Sequence, residues 1–173
     1  TDLTKYEGET IRVCSNLPYY VTTPILFKLF NSNLDISKIT VMVQKEVGDR
    51  FKARVGSEDY NALSIIVQYL YDVKQEMNVS KAVFYPSPKV DSVVISFTPK
   101  FKRNFEYEKG LFDFIENCFK NRRKTLNNNL KQFLDVDTIG RIYSTLNLKE
   151  SVRAQELDLD TFIRMYGVSV NED

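Results

Sequence analysis

Asn16-Leu17-Pro18-Tyr19 is the segment of this chain whose residue types can do chemistry together. An asparagine side-chain carbonyl and a backbone carbonyl in a turn fixed by proline offer two hydrogen-bond acceptors that converge on one point. The tyrosine ring beside them offers a flat face. Two acceptors and a ring face suit a planar base that carries an exocyclic amino group. The chain holds no histidine, which excludes a histidine acid–base mechanism. Its two cysteines, Cys14 and Cys118, are far apart, so no metal site is expected. Both fall in apolar segments and read as reduced, buried thiols of a cytosolic protein.

The elements that must hold this segment are legible on either side of it. Ile11–Cys14 reads as a buried strand, so the segment lies in a loop at a strand's C-terminal end, where open α/β sheets place their ligand chemistry. Thr23 is expected to cap a helix with Pro24 at its first position, and Ile25, Leu26, Leu29 and Phe30 give that helix a buried face. Ile39–Val43 reads as a second buried strand and Glu46–Ala53 as a helix. Asn61–Tyr71 has three-to-four spacing in Leu63, Ile66, Val67 and Leu70, which is helical. Asp72–Val79 and Ser92–Thr98 read as strands around a rigid loop containing Pro86 and Pro88. The order suggests the end of a doubly wound sheet, closed by an antiparallel hairpin.

Past Lys100 the pattern becomes helical throughout. Leu111, Phe114, Ile115 and Cys118 form one stripe, Leu126, Leu130 and Phe133 a second, and Ile139, Ile142 and Leu146 a third. Asp158 or Asp160 can cap a last helix carrying Phe162, Ile163 and Tyr166. The expected division is therefore an α/β portion, residues 1–99, and an all-helical domain, residues 100–173, with a linker near Pro99–Phe105. Hydrophobic residues make up 43% of the chain and charged ones 27%, enough for a globular core. No apolar run approaches the ~20 residues of a membrane span, and the polar start, Thr1–Glu9, is no signal peptide.

The formal net charge of +1 conceals a local excess. Residues 100–132 carry 9 Lys and Arg against 4 Asp and Glu, whereas residues 133–173 carry 4 against 8. Lys120, Arg122, Arg123, Lys124 and Lys131 have no acid between them. Such a cluster in a near-neutral chain points to a local anionic partner such as nucleic acid.

Five motifs then stand in order: Asn16-Leu17-Pro18-Tyr19-Tyr20-Val21-Thr22-Thr23-Pro24, Val43-Gln44-Lys45-Glu46-Val47, Phe84-Tyr85-Pro86-Ser87-Pro88-Lys89-Val90-Asp91-Ser92, Arg122-Arg123-Lys124-Thr125-Leu126 and Arg153-Ala154-Gln155-Glu156-Leu157. Together they resemble the ribosomal RNA adenine dimethyltransferases, most closely the small-subunit type. The related erythromycin-resistance enzymes share the first three motifs and less of the helical ending. Asn61 departs from the glycine common in the family. The resemblance implies an S-adenosylmethionine-dependent enzyme with a Rossmann-like methyltransferase sheet. Such an enzyme dimethylates N6 of adjacent adenosines in a small-subunit rRNA hairpin. Its partner would be the pre-ribosomal small subunit in the cytoplasm. It further implies Asn16, Leu17, Pro18, Tyr19 and Phe84 as catalytic residues, with Asn16 also bordering the methyl donor. Lys89, Lys120, Arg122, Arg123, Lys124, Lys131 and Arg153 would bind RNA, and no metal takes part.

Family members begin with a Gly-rich loop that cradles S-adenosylmethionine, followed by acidic residues at strand ends. The six glycines here are isolated, with no G-x-G spacing. The expectation is therefore a C-terminal portion of such an enzyme: the second half of the Rossmann-like sheet followed by the small all-helical domain. It would lack the N-terminal donor-binding half and its main cofactor motifs, and would be inactive alone. The outer edge of its first strand would be unpaired and prone to self-association. Two other classes stand beside this one: a non-catalytic RNA- or ribosome-binding module, and a structural subdomain dependent on further chain.

Overall fold

The computed structural model describes residues 6, 8–30, 32, 34–100 and 104–170. Thr1–Glu9 falls largely, and the expected linker near Pro99–Phe105 partly, outside the described residues. Two compact units make up the chain. The first is residues 1–52 with 70–101, and the second is residues 53–69 with 102–173.

The first unit is built on a four-stranded mixed sheet. Its strands are β1 (Thr10–Asn16), β2 (Asp35–Gln44), β3 (Tyr71–Val79) and β4 (Ser92–Pro99), in the spatial order β1-β2-β4-β3. β1 runs parallel to β2, while β4 runs antiparallel to both β2 and β3. β2 and β4 lie in the middle, and their β-branched sequences suit that place. Ile39, Val41 and Val43 on β2, with Val93, Ile95 and Phe97 on β4, are all buried. Helix α1 (Thr22–Phe30) and helix α2 (Lys45–Phe51) supply the aromatic cover. Phe97 meets Phe30 at 5.4 Å and Phe51 at 5.2 Å between ring centres, and Tyr71 lies 4.8 Å from Phe30. Each fully buried ring of this kind contributes about 1.5–3 kcal/mol relative to exposure, so this cluster anchors the unit.

Three local expectations are corrected. β1 is not a buried strand. It is the sheet's edge among the described residues, with Arg12, Cys14 and Asn16 exposed and Ile11 and Val13 half-buried. Its apolar residues say that it is a strand, whereas its burial depends on neighbours that the local pattern does not name. Cys14 is accordingly exposed, and only Cys118 is buried, where burial pushes its thiol pKa up. Thr23 does not cap α1. A single 3-10 turn, Tyr19–Val21, runs into the helix, and it is the buried Thr22 whose hydroxyl donates to the Pro18 carbonyl at 3.1 Å. The buried face is then Thr22, Leu26 and Phe30, four residues apart, with Ile25 and Leu29 at its margin.

The second unit is helical. It comprises α3 (Ala62–Leu70, up to Tyr69), α4 (Phe105–Phe119), α5 (Leu126–Leu130), α6 (Val136–Leu146) and α7 (Leu159–Val170). Side chains cap four of these starts. Asn104, Thr125, Asp135 and Asp158 each accept the backbone N–H three residues on, the arrangement favoured at N-caps. Asn147 ends α6 in the left-handed conformation, φ 49°. The expected stripe of α4 is buried as read, Leu111, Phe114, Ile115 and Cys118, and so are Leu126 and Leu130 of the second stripe, whereas its third member, Phe133, lies past the end of α5 and is only half-buried. The segment before α3 is tied to the C-terminal part: Gly56 N–H donates to the Gln155 carbonyl at 2.9 Å, and Tyr60 Oη donates to the Leu157 carbonyl at 3.0 Å. Burial, and secondarily the Asp158 charge, push the Tyr60 phenol up to about 12.

Candidate functional site

Asn16 closes β1 and pairs in register with Met42 on β2. Leu17 N–H then donates to the Met42 carbonyl at 3.3 Å, so the turn leaves the sheet with its first amide still anchored. Pro18 fixes the backbone at φ −59°, and its carbonyl accepts from Val21 N–H at 3.1 Å and from the Thr22 hydroxyl. Leu17 is buried under the turn, while Asn16 and Pro18 are exposed. Tyr19 is held by its hydroxyl, 2.7 Å from Ser92 Oγ at the start of β4. Ser92 is fully buried, so the ring is tied to the sheet rather than to a mobile surface.

The loop between β3 and β4 arrives at the same end of the sheet. β4 is antiparallel to β2 and begins opposite Gln44, so residues just before Ser92 lie beside the C-terminal end of β2. Several bonds shape this loop. Ser80 caps the short turn Lys81–Val83, Lys81 N–H donates to Asp91 Oδ1 at 2.9 Å, and Ser87 Oγ donates to the Lys81 carbonyl at 2.9 Å. The Tyr85–Pro86 peptide bond is cis. Asn16, Leu17, Pro18, Tyr19, Met42, Phe84, Pro86 and Pro88 together line an open cleft of about 310 Å³. All five residues implied as catalytic are therefore in one place, although Phe84 is 65 residues or more from the others in sequence. Pro86 and Pro88, read as stiffeners of the loop, are also walls of the cleft.

Sequence reading missed Met42 as a wall and Ser92 as the anchor of Tyr19. Ser92 was visible as the last residue of a motif. Met42 carried no signal of its own, and only its register with Asn16 brings it there. Asn16 has no hydrogen bond of its side chain among the described residues, so its amide is free to serve a ligand.

The seven basic residues implied for RNA are divided between the two units. Lys89 is exposed just beyond the cleft wall in the first unit. Lys120, Arg122, Arg123 and Lys124 are all exposed in the second unit, in the turn between α4 and α5 rather than on a helix. A buried side chain holds that turn: Asn129 Oδ1 accepts Asn121 N–H at 3.1 Å, and its Nδ2 donates to the Asn121 carbonyl at 3.3 Å. Arg122 has a partner of its own, since its guanidinium donates to the Glu58 carbonyl. Lys131 lines a separate cleft with Asn127, Val136, Ile139, Gly140, Tyr143 and Glu150. Arg153 is exposed, and its backbone N–H, not its guanidinium, meets the Glu156 carboxylate at 2.8 Å. None of these seven side chains makes an ion pair among the described residues. No described helix is long and apolar enough to cross a membrane.

Comparison with known proteins agrees with the motifs. The family model described as "Ribosomal RNA adenine dimethylase" matches residues 2–169. The chain is 42% identical over 171 residues to a ribosomal RNA small subunit methyltransferase A of Bacillus cytotoxicus, covering 95% of this chain and 59% of that protein. It is 43% identical over 160 residues to the protein of that name from Lactobacillus helveticus, covering 91% and 54%. Among solved structures, a dimethyladenosine transferase from Plasmodium falciparum superposes with TM-score 0.75 at 26% identity, over 92% of this chain and 70% of that one. The 23S rRNA methyltransferase ErmE superposes with TM-score 0.70 at 16% identity, over 94% and 66%, a likeness of fold alone. The chain thus spans rather more than half the length of the curated relatives it matches.

These matches correct the expectation of a C-terminal portion only. The family match runs from residue 2 to residue 169, so family membership is a property of the chain as a whole. The accompanying expectations, a sheet that is only a second half, cofactor motifs that are missing and a chain inactive alone, find no support in a match of that extent. What stands is an α/β mixed sheet of the Rossmann-like methyltransferase kind followed by helices.

Proposed function

The chain belongs to the ribosomal RNA adenine dimethylase family, and from that premise we propose that its cleft holds an adenine base for methylation at N6. Small-subunit rRNA is the proposed substrate, and S-adenosylmethionine the proposed donor. The observation that carries this reading is the convergence of Asn16, Leu17, Tyr19 and Phe84 on one open cleft.

The N6 amine of adenine is a poor nucleophile because its lone pair is delocalised into the ring. Two acceptors placed on its two N–H bonds draw the nitrogen towards tetrahedral geometry and free the lone pair. Asn16 Oδ1 is one acceptor. The other is the Leu17 carbonyl, since the Pro18 carbonyl already accepts from Val21 N–H and Thr22 Oγ1. This is positioning and electrostatic preorganisation rather than general-base catalysis. The chain has no histidine, and the Tyr19 hydroxyl is committed to Ser92. The proton released from N6 therefore goes to water through the open side of the cleft. Tyr19 and Phe84 supply ring faces for a base taken out of its stack, offsetting an unstacking cost of a few kcal/mol. When bound, S-adenosylmethionine supplies an electrophilic methyl group on a sulfonium. The residues present fit it at one point, the exposed and unbonded Asn16 amide at the end of β1. In the second unit, the exposed turn Lys120–Lys124 suits RNA phosphate, contacts that position without reading sequence.

The test is transfer of a labelled methyl group to a small-subunit rRNA hairpin, with wild type and Asn16→Ala compared at matched RNA occupancy. Label at adenine N6 with wild type, lowered at least a hundredfold in the variant at nearly unchanged RNA affinity, is the expected result. The size follows from the loss of one preorganised contact in the transition state, roughly 10²–10³. Near-normal turnover by Asn16→Ala would remove the asparagine from its role.

A further inference from the structure

Two tyrosines that adjoin residues of the cleft wall in sequence turn almost wholly to solvent. Tyr85 is 102% exposed and Tyr20 is 86% exposed. Neither ring meets another ring, and neither hydroxyl has a partner, among the described residues. Each is nevertheless next in sequence to a residue of the cleft wall: Tyr20 follows Tyr19, and Tyr85 stands between Phe84 and Pro86. An aromatic ring left wholly in water contributes nothing to the core, and each of these two is carried by a segment that also supplies a wall of the cleft.

Their backbones are fixed even though their rings are free. Tyr20 is in the middle of the 3-10 turn Tyr19–Val21, pinned below by the Pro18 carbonyl and by the Tyr19–Ser92 bond. Tyr85 is in the loop held by Asp91, Ser80 and Ser87. Each ring is thus presented from a prepared backbone with only two side-chain torsions to settle, which keeps the entropy cost of contact low.

We propose, building on the adenine reading of the cleft, that Tyr20 and Tyr85 are stacking platforms for the two nucleotides that flank the inserted adenine. An adenine in the cleft must drag its strand neighbours to the cleft's mouth, where their own stack is broken. A tyrosine face there replaces the lost neighbour. Stacking on an aromatic ring is tolerant of base identity, because every base has a π face. The ligand recognised is therefore unpaired RNA on both sides of the target, not a particular flanking sequence. Lys89, exposed and close behind Pro88 in sequence, is suited to the phosphate on the Tyr85 side.

The test pairs protein variants with abasic RNA. Binding of a hairpin with its target adenine in the loop is measured for wild type, Tyr20→Ala, Tyr85→Ala and Tyr85→Phe, with each flanking base present or removed. Both alanine variants are expected to bind about 5- to 150-fold more weakly, from the ordinary strength of base stacking. Tyr85→Phe should bind like wild type. Removing the matching flanking base should weaken wild type by a similar factor and leave the corresponding alanine variant unchanged. Unchanged affinity in both alanine variants overturns the proposal. So does a loss that is the same with and without the flanking bases, which would assign the tyrosines to another kind of partner. A separate hairpin lacking the target adenine tests the cleft itself. If wild type ignores that removal but still senses the flanking bases, the adenine reading fails while the platforms remain.

Discussion

The bond between Tyr19 and Ser92 should be worth more from one side than from the other. It is 2.7 Å long and ties the cleft wall to the first residue of β4. Ser92 is fully buried, whereas Tyr19 is only half-buried. Tyr19→Phe keeps the ring but strands the serine hydroxyl in the interior, a loss of about 1–3 kcal/mol. Ser92→Ala removes the buried group, and the tyrosine hydroxyl can turn to water. Its loss should approach the net value of one hydrogen bond, about 0.5–1.5 kcal/mol. The double variant leaves nothing buried and unpaired, so it should cost less than the two single changes added, by about 1 kcal/mol. The assay is urea unfolding of all four proteins, followed by a probe in the sheet unit. With a slope of roughly 1–3 kcal/mol per molar urea, a 2 kcal/mol loss moves the midpoint by about 1 M. Additive losses, or a Tyr19→Phe change milder than Ser92→Ala, would refute the claim that this bond fixes the cleft wall.

Glycines inside helices should split by what a methyl group would meet. Gly48→Ala places Cβ 2.4 Å from Val93 Cγ2 in the core, so overpacking of about 1–3 kcal/mol should outweigh the roughly 1 kcal/mol gain in helix propensity; Gly140→Ala meets nothing within 4 Å and should raise the melting temperature. Replacing Arg123 and Lys124 by alanine should lower RNA affinity about equally for cognate and unrelated hairpins and flatten the salt dependence by roughly one unit or more, as read by titration at several salt concentrations. Native protein should give one fast thiol with an aromatic disulfide reagent, at exposed Cys14, and the second, at Cys118, only on unfolding. Hydrogen bonds from Thr138 hold Asp135, and those from Thr161 hold Asp158, below the usual carboxylate range. A depressed carboxylate stabilises the fold above the unfolded-state value of about 4 and loses that contribution as pH falls through the folded value. The melting temperature of Asp135→Asn/Asp158→Asn should therefore fall less steeply than wild type below about pH 4.

How much of the cleft could be read from sequence depends on which distances a local pattern can see. The turn Asn16–Tyr19 was legible because its own residue types specify it: a strand end, a proline with φ fixed, a tyrosine. Pro86 and Pro88 announced a rigid loop for the same reason. The strength of β2 and β4 was plain in their β-branched runs, while the exposure of β1 was not, because Ile11, Val13 and Cys14 fit an edge as well as a centre. The basic run was visible as charge, but its form was not. Asn121 and Thr125 are ordinary turn and cap residues, yet the buried Asn129 that clamps the turn and the Glu58 carbonyl that holds Arg122 lie 8 and 64 positions away. Likewise α3 shows its helical stripe without showing that its segment packs with the later helices.

The cleft itself is a product of register. β1 and β2 are parallel, and β1 ends with Asn16 opposite Met42, two residues before the end of β2. β4 is antiparallel to β2 and starts there, with Ser92 opposite Gln44. Two strand ends and one strand beginning therefore meet at one end of the sheet, which brings Phe84 to Asn16 and gives Tyr19 a buried serine to hold. A one-residue slip of β4 would turn Ser92 to the opposite face of the sheet, break the Tyr19 bond and move the Phe84 loop away from the two acceptors. The chemistry proposed for Asn16 and Leu17 therefore depends on packing at Val93, Ile95 and Phe97, the buried residues that hold β4 in its register.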